Sequence, residues 1–332
     1  EFHNFLTELT HYAKKEWANW PADVSSFAQS LLSEQGKYYG MPLGITYAGL
    51  LWADRLWLSK YGLQVPKNLD ELRNVSKVLR SRGDLPVVIG AKDDWINLDT
   101  WMNIANDINP AKLYAAIDGK TAFTDPDIVE SFSIWQLLFT ESIVQDGALG
   151  VNMYNDTTDL FHTEGKVPVF FNGSWEIASF LNPNQAIYQN FNDGTHEFVP
   201  FRLDWNNDGK AAPLTSSVDV VVCLNKNSKN PEAAWRFIAA MIQDGQNFLI
   251  NKLEYFPSLT TIKFTAPVSD LGRQAFNAVV DWGQNNVAGY RENPYPELKQ
   301  AIADNLKALA LNQVTPAQAA TAIERVSQST KR

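Results

Sequence analysis

The sequence predicts an α/β protein with two lobes. Short apolar, β-prone segments alternate along the chain with helical segments that carry recognisable start and stop signals. Such alternation is typical of layered α/β folds. The 332 residues suit two domains rather than one, yet no Pro- or Gly-rich linker separates two halves. We therefore expect the chain to pass between the lobes more than once, through short strands.

One segment in the middle of the chain combines a strand, a turn and a helix start. Val167–Phe171 is apolar and β-prone, Asn172-Gly173 is a turn signal, and Ser174 can cap the helix that follows. Trp175 therefore lies at the carboxyl end of a strand, where open α/β sheets bind ligands. Its ring is a candidate to cover the apolar face of a ligand. The alternative is a tryptophan that fills the junction between strand and helix.

Further elements are predicted by the same signals. The helix starts, with their caps, are Asn68 (a helix to Arg82, ended by Gly83), Asp125-Pro126, Asn230-Pro231 and Thr315-Pro316. The predicted strands are 85–89, 198–201 and 218–224. The helix that contains Trp101 follows the polar loop 91–95, and we expect Trp101 to lie in the core.

Charge and cysteine content exclude several classes of protein. The net charge is −9 and no Lys/Arg-rich run occurs, which argues against nucleic acid or an anionic membrane as a partner. The single Cys223 rules out an internal disulfide, and its apolar neighbours predict a buried, inert thiol. The chain has no stretch of apolar residues long enough to span a membrane.

Signatures of enzymes and metal sites are weak. The chain has no Gly-x-Ser-x-Gly motif, and His196-Glu197 lacks the second histidine of a zinc helix. Residues 204–209 begin like a calcium loop, with Asp204, Asn206 and Asp208 as candidate ligands, but Thr215 occupies the place of the bidentate glutamate. A hairpin tip explains these residues equally well. We expect no cofactor, with Ca²⁺ as the alternative.

Seven short motifs share one family pattern. They are Gly36–Pro42, Trp52–Leu56, Val65–Leu72, Thr124–Asp127, Asn172–Trp175 (Asn-Gly-Ser-Trp), Leu224–Ala234 and Val314–Ala320. In this order, over nearly the whole chain, they resemble the family 1 extracellular solute-binding proteins of bacterial ABC sugar importers. Each motif alone is weak, but seven in the family's order are specific.

The resemblance implies the two-lobed periplasmic-binding-protein fold of type II, the maltose-binding type. It places residues 1–43 and 218–256 in the amino-terminal lobe, and residues 44–217 and 257–332 in the carboxy-terminal lobe. Crossings are expected near 43–46, 218–224 and 255–259. The family begins with strand–helix units ahead of what is here Glu1, so the amino-terminal lobe is expected to lack roughly 60 to 90 residues.

The resemblance also implies the function. We expect a binding protein, not an enzyme, that captures a mono- or oligosaccharide between its lobes by hinge closure and delivers it to ABC permease subunits. It would act as a monomer in the periplasm or outside the cell, with a lipid anchor as one option. Two alternatives stay open: a non-sugar solute, such as a polyamine or a glycerol phosphodiester, and a carbohydrate-active enzyme such as a glycoside hydrolase.

The family's motifs indicate ligand-binding positions, with Trp175 in the place of the stacking aromatic. The candidates are Trp175, Glu176, Thr46, Tyr47, Asp94, Trp95, Ser217, Asp219, Tyr290 and Arg291. Their chemistry suits a sugar, because C–H faces pack on aromatic rings and hydroxyls pair with charged or planar polar groups. Where the family often has Gly-Gly, this chain has Val218-Asp219, which places a carboxylate near the cleft.

Overall fold

The computed structural model describes residues 3–157, 166–181, 194–252, 255–262 and 270–332. The helices there are α1 Thr10–Glu16, α2 Ser26–Leu32, α3 Arg55–Lys60, α4 Leu69–Arg82, α5 Asp94–Ile108, α6 Pro110–Ile117, α7 Pro126–Thr140, α8 Ile177–Leu181, α9 Pro231–Ala240, α10 Gln246–Asn251, α11 Asp270–Asn285, α12 Pro296–Ala310 and α13 Pro316–Ser329. Single 3₁₀ turns lie at His3–Phe5, Ala148–Gly150 and Ser174–Glu176, and π-helical turns at Met153–Thr157 and Met241–Gly245.

The strands form three small sheets. They are β1 Ser33–Glu34, β2 Lys37–Tyr38, β3 Gly40–Ala48, β4 Leu50–Asp54, β5 Val169–Asn172, β6 Phe198–Phe201, β7 Leu214–Cys223 and β8 Val287–Tyr290. The strand orders are β1-β2, β3-β7-β8 and β5-β4-β6, and only β7 and β8 run parallel among these pairs. The strand–turn–helix segment predicted around Trp175 is confirmed as β5, a 3₁₀ turn and α8.

Buried apolar side chains gather in two clusters, which define two lobes. The smaller lobe has its core around Leu9, Met41 and Trp235. The larger lobe has its core around Trp52 and Trp135, and draws on helices α4 to α7 and α11 to α13. Trp101, predicted to be core, is fully buried there. The α/β, two-lobed architecture expected from the sequence is confirmed.

Two long strands join the lobes. β3 and β7 pair antiparallel from Gly40 opposite Cys223 to Ala48 opposite Thr215. Met41 at one end of β3 lies in the smaller core, whereas Ile45 lies in the larger one. A third segment, 255–262, also touches both cores, and Phe256 pairs with Ile45. We call these three segments the hinge; the domain boundaries expected from the sequence stay a prediction.

Local signals in the sequence set the helix ends. The Asn68 side chain accepts the Glu71 N–H at 2.9 Å, and α4 ends at Gly83, which has φ of +80°. Asp125 caps α7, and Thr315 forms a capping box at α13. Asn230 precedes α9 as predicted, but its side chain makes no capping hydrogen bond.

Two expectations about strands were wrong in part. Residues 85–89 make only isolated bridges, from Val87 to Val144 and from Val88 to Phe170. Cys223 is exposed rather than buried, because in the described part of the chain β7 pairs there with β3 alone, and one face of its end stays open. None of the described helices combines the length and the apolar content needed to cross a membrane.

A buried amide fastens the hinge on the side of the smaller lobe. Gln246 follows a π-helical turn and is fully buried. Its Nε2 donates to Pro42 O at 3.3 Å and to Ser258 Oγ at 2.8 Å, while its Oε1 accepts the N–H groups of Ser258 and Leu259. One side chain thus ties the first hinge segment to the third.

Replacing Gln246 by Met should therefore destabilise the fold while conserving its size. The change leaves two buried backbone N–H groups without an acceptor, which should lower the free energy of unfolding by about 2 to 5 kcal/mol in urea titration. Gln243→Met, at an exposed position three residues earlier, is the matched control. Equal stability of the two variants would show that the clamp contributes little.

Candidate functional site

A cavity of about 390 Å³ opens beside the hinge on the side of the larger lobe. The described residues that line it are Trp95, Tyr154, Trp175, Asp219, Tyr255 and Arg291. Four of the six are aromatic and two are charged, so the wall offers flat apolar surfaces next to an ion pair. Small-molecule sites commonly combine apolar walls with a few convergent polar groups.

Asn172 organises the wall around Trp175. The side chain of this last residue of β5 is buried. Its Oδ1 accepts the Trp175 Nε1–H at 2.5 Å, and its Nδ2 donates to Glu176 Oε1 at 2.7 Å. The sequence predicted that Ser174 would cap the helix, but its side chain makes no capping hydrogen bond. Its hydroxyl instead accepts the N–H of Tyr47 at 2.9 Å. The turn is thereby fixed both to its own strand and to the hinge.

Gly173 makes room for the indole ring. A Cβ atom at this position would lie 2.2 Å from Cζ3 and Cη2 of Trp175, which is closer than any real contact. The ring therefore lies directly against the main chain of the turn, in contact with Asn172 and Gly173. The Asn-Gly-Ser-Trp motif thus has a steric reason for its glycine as well as a hydrogen-bonding reason for its asparagine.

Trp95 and Tyr154 extend the aromatic wall. Trp95 lies in the first turn of α5, with its ring centroid 5.8 Å from that of Trp175 at an angle of 65°. Tyr154 stacks on Trp95, with their ring centroids 5.7 Å apart and an angle of 19° between the ring planes. Asp93 holds this arrangement because its carboxylate accepts the Met153 N–H at 2.7 Å. Three rings from three separate segments thus meet along one side of the cavity.

Arg291 forms the polar floor of the cavity. Its backbone N–H donates to Ser216 O, which fixes the residue beside β7. The buried guanidinium binds Asp99 through Nε and Nη2 at 2.8 to 2.9 Å and Asp219 through Nη1 at 3.2 Å. Burial by itself would lower the pKa of Arg291, but the two carboxylates raise it above its ordinary value. The Arg291 Cζ lies 4.6 Å from the ring centroid of Trp175.

Asp219 connects this floor to the hinge. Its Oδ1, which accepts from Arg291, also accepts the Thr46 hydroxyl at 3.4 Å. Thr46 is fully buried and lies 3.5 Å from the Ser217 hydroxyl. The Asp219 side chain is one-third exposed, so it faces both the ion pair and the solvent of the cavity. Thr46 and Ser217 therefore support Asp219 from beneath.

The comparisons with known proteins agree with this architecture. The model of the bacterial extracellular solute-binding protein family matches residues 3–248. The chain belongs to this family. The resemblance drawn from the seven motifs is thus confirmed, and the family is one of substrate-binding proteins rather than enzymes. No curated protein sequence matches this solute-binding protein.

Solved structures show the same fold at low sequence identity. A chitin oligosaccharide binding protein is 16% identical, with a TM-score of 0.81 over 98% of this chain and 79% of that protein. A protein of xylan utilization from Caldanaerobius polysaccharolyticus is 19% identical, with a TM-score of 0.81 over 97% and 80%. A Bacillus licheniformis sugar transporter in complex with stachyose is 15% identical, with a TM-score of 0.74 over 99% and 82%.

The structure gathers some of the candidate residues of this solute-binding protein and separates others. Trp175, Trp95, Asp219 and Arg291 line the cavity, with Thr46 and Ser217 behind Asp219. The remaining four lie elsewhere, and they are placed as follows. Glu176 is buried against Asn172, Asp94 pairs with Lys307 at 2.5 Å, Tyr290 packs on Tyr114, and Tyr47 lines a second cavity behind the hinge.

Two residues of the site were missed in the sequence. Asp99 lies one helical turn after Trp95, and the signal that could have found it was an acidic residue four positions after a candidate aromatic residue, on the same face of a predicted helix. Tyr154 follows no motif, because the contact of Asp93 with the chain at Met153 brings it to Trp95. Tyr255, which the sequence placed only at the third hinge segment, lines the cavity and lies against Gly44.

The side-chain oxygens of the loop 204–209 accept hydrogen bonds from nearby backbone N–H groups. Both oxygens of Asp204 accept backbone N–H groups, from Asp208 at 3.1 Å and Gly209 at 2.7 Å. Asn206 and Asp208 likewise accept N–H groups of the loop itself. Among the described residues, no three His, Cys, Asp or Glu side chains stand where they could hold a metal. The oxygens stabilise a tight turn in the connection from β6 to β7; since these two strands lie in different sheets, the interpretation as a hairpin tip is wrong, and the expectation of no cofactor stays a prediction.

A carboxylate that binds this loop, that of Asp107 on α5, should make the stability of the fold depend on pH. Asp107 accepts the N–H groups of Trp205 and Asn206. Burial raises its pKa to about 7, with Asp204 and Asp208 contributing in the same direction. The pKa of Asp107 in the folded state lies above the ordinary value of 3.8. The free energy of unfolding should therefore fall as the pH rises from about 4 to 7.

Asp107→Asn should therefore raise the melting temperature more at pH 8 than at pH 5. The amide oxygen can still accept both N–H groups, and the buried charge is gone. Melting curves of the variant and the wild type at both values check this. A difference between the two proteins that stays constant with pH would contradict the shifted pKa.

Gly173→Ala should displace the Trp175 ring. Overpacking at a fixed turn typically costs about 1 to 3 kcal/mol. We expect a lower melting temperature and a shifted indole N–H resonance of Trp175 in spectra of ¹⁵N-tryptophan-labelled protein. Gly150→Ala, where no atom lies within 4 Å of the new Cβ, is the control. An unmoved Trp175 resonance in Gly173→Ala would refute the steric role.

Proposed function

We propose that this protein is the substrate-binding component of an ABC importer and captures a mono- or oligosaccharide beside its hinge. The observation that carries the proposal is the cavity in which Trp95, Tyr154, Trp175 and Tyr255 surround the Arg291–Asp219 pair. Aromatic rings can cover the C–H faces of a sugar, and the ion pair offers donors and acceptors to its hydroxyls. Membership of the family supports this proposal, as does the structural similarity to a chitin oligosaccharide binding protein and to a sugar transporter in complex with stachyose.

The mechanism follows from where the polar groups lie. Trp175 and Trp95 belong to the larger lobe, whereas Asp219 and Tyr255 belong to the hinge. A solute that contacts both sets favours the conformation in which they are close together. Such differential contact shifts the equilibrium between open and closed forms, and the closed form is presented to the membrane permease. No covalent step and no cofactor are part of this proposal.

The family description places such proteins outside the cytoplasmic membrane. A monomeric state and a lipid anchor are finer expectations from the resemblance and stay predictions. A thermal-shift screen followed by calorimetric titration tests the proposal, with maltotriose, raffinose, stachyose and N,N′,N″-triacetylchitotriose as probes. Chromatography after incubation separates a binding protein, which returns the sugar intact, from a glycoside hydrolase.

Trp175→Ala should weaken binding of whichever sugar raises the melting temperature. Loss of the stacking contact and of its apolar area should reduce affinity by about ten- to several-hundredfold. The unliganded melting temperature should change much less, because the ring is only half-buried.

Trp57→Ala is the matched control for that experiment. Trp57 is also half-buried and also donates its Nε1–H to a side-chain oxygen, that of Asp84, but it is not among the residues lining the cavity. Its replacement should leave affinity unchanged. Unchanged affinity in Trp175→Ala, together with a large fall in melting temperature, would show that Trp175 is a core residue instead.

A further inference from the structure

The charges around Arg291 are already balanced within the protein. Asp99 occupies Nε and Nη2 of the guanidinium, and Asp219 occupies Nη1. Within the part of the chain that the structure describes, two of the five N–H bonds of Arg291 stay available, one on each Nη atom. Arg291 can therefore donate hydrogen bonds to a solute, but Asp219 alone cancels its positive charge. The second carboxylate, that of Asp99, makes the group as a whole acidic.

A further carboxylate lies behind the aromatic wall, outside the lining of the cavity. The buried Glu176 lies directly behind Trp175 in the chain, and its carboxylate is held by Asn172. These charges shift the pKa of Tyr154. Burial raises its pKa, Glu176 and then the two aspartates raise it further, and only Arg291 acts against them. Among the described residues that act on Tyr154, three carboxylates therefore stand against one cation.

We propose that the cavity selects uncharged sugars and rejects acidic ones, and that Asp219 is the residue that sets this selectivity. The inference rests on the proposed function, since it names the class of carbohydrate. Asp219 is the exposed member of the ion-paired group, so a sugar carboxylate that approached Arg291 would meet it first. A sugar hydroxyl can instead donate to Asp219 and accept from the open N–H bonds of Arg291. A glycerol phosphodiester is disfavoured for the same electrostatic reason.

The test compares each neutral sugar with its own oxidised form. Maltotriose, raffinose, stachyose and cellotriose are titrated beside the same sugars after oxidation of their primary alcohols to carboxylates, at an ionic strength of about 0.15 M. The wild-type protein should bind the acidic form of its best sugar about ten- to a hundredfold more weakly than the neutral form. In Asp219→Asn the ratio of the affinity for the neutral sugar to that for the acidic sugar should fall at least about fivefold.

Two further variants make the result specific. Asp304→Asn removes one negative charge from an exposed site on α12 and should leave the ratio as in the wild type. Asp219→Ser provides a second replacement, and unliganded melting curves show which variants are folded. A ratio that persists in both Asp219 variants overturns the assignment to Asp219.

The remaining outcomes separate this inference from the proposed function. Equal or tighter binding of the acidic sugars by the wild type refutes charge selection but leaves a sugar-binding protein. Binding of spermidine with no response to any sugar, neutral or acidic, refutes the proposed function and the inference with it.

Discussion

The antiparallel pairing of β3 with β7 is the constraint on which the rest of the structure depends. The two strands stay in register from the smaller core to the larger one, apart from irregularities around Gly44. Their backbone hydrogen bonds continue where the side chains change from one core to the other. A strand pair of this kind can twist or bend without losing its register, so it joins the lobes while allowing them to move. Gln246 fastens the third segment to the same pair.

The wall and floor of the cavity are built from side chains whose hydrogen bonds are made within the protein. Asn172 fixes Trp175 and Glu176, Asp93 fixes the segment of Tyr154, and Asp99 fixes Arg291. Each contact orients a side chain before any solute arrives, which reduces the conformational entropy that binding would otherwise lose. The cost is a buried arginine, and its desolvation is offset by a bidentate carboxylate.

Sequence patterns predicted local structure better than they predicted the site. Caps such as Asn68 and Thr315 act within one helical turn, and the Asn-Gly-Ser-Trp motif determines its own turn, so both could be read from adjacent residues. Asp94 and Trp95 are neighbours in sequence, yet the start of α5 sends one toward Lys307 and the other into the cavity. Tyr154 depends on a contact across 60 residues of chain, which no local pattern encodes.

The position of Asp219 links recognition to movement. Among the described residues that line the cavity, Asp219 is the charged one that lies on a hinge strand, and it is hydrogen-bonded to Thr46 on the opposite strand and to Arg291 directly after β8. In the proposed function, a solute hydroxyl that donates to Asp219 would compete with these internal partners and so act on both hinge strands at once. In the proposed function, only contacts that differ between open and closed forms can drive closure. Asp219 and Tyr255 line the cavity from the hinge itself, so in that proposal they are the residues whose contacts with a solute would change on closure.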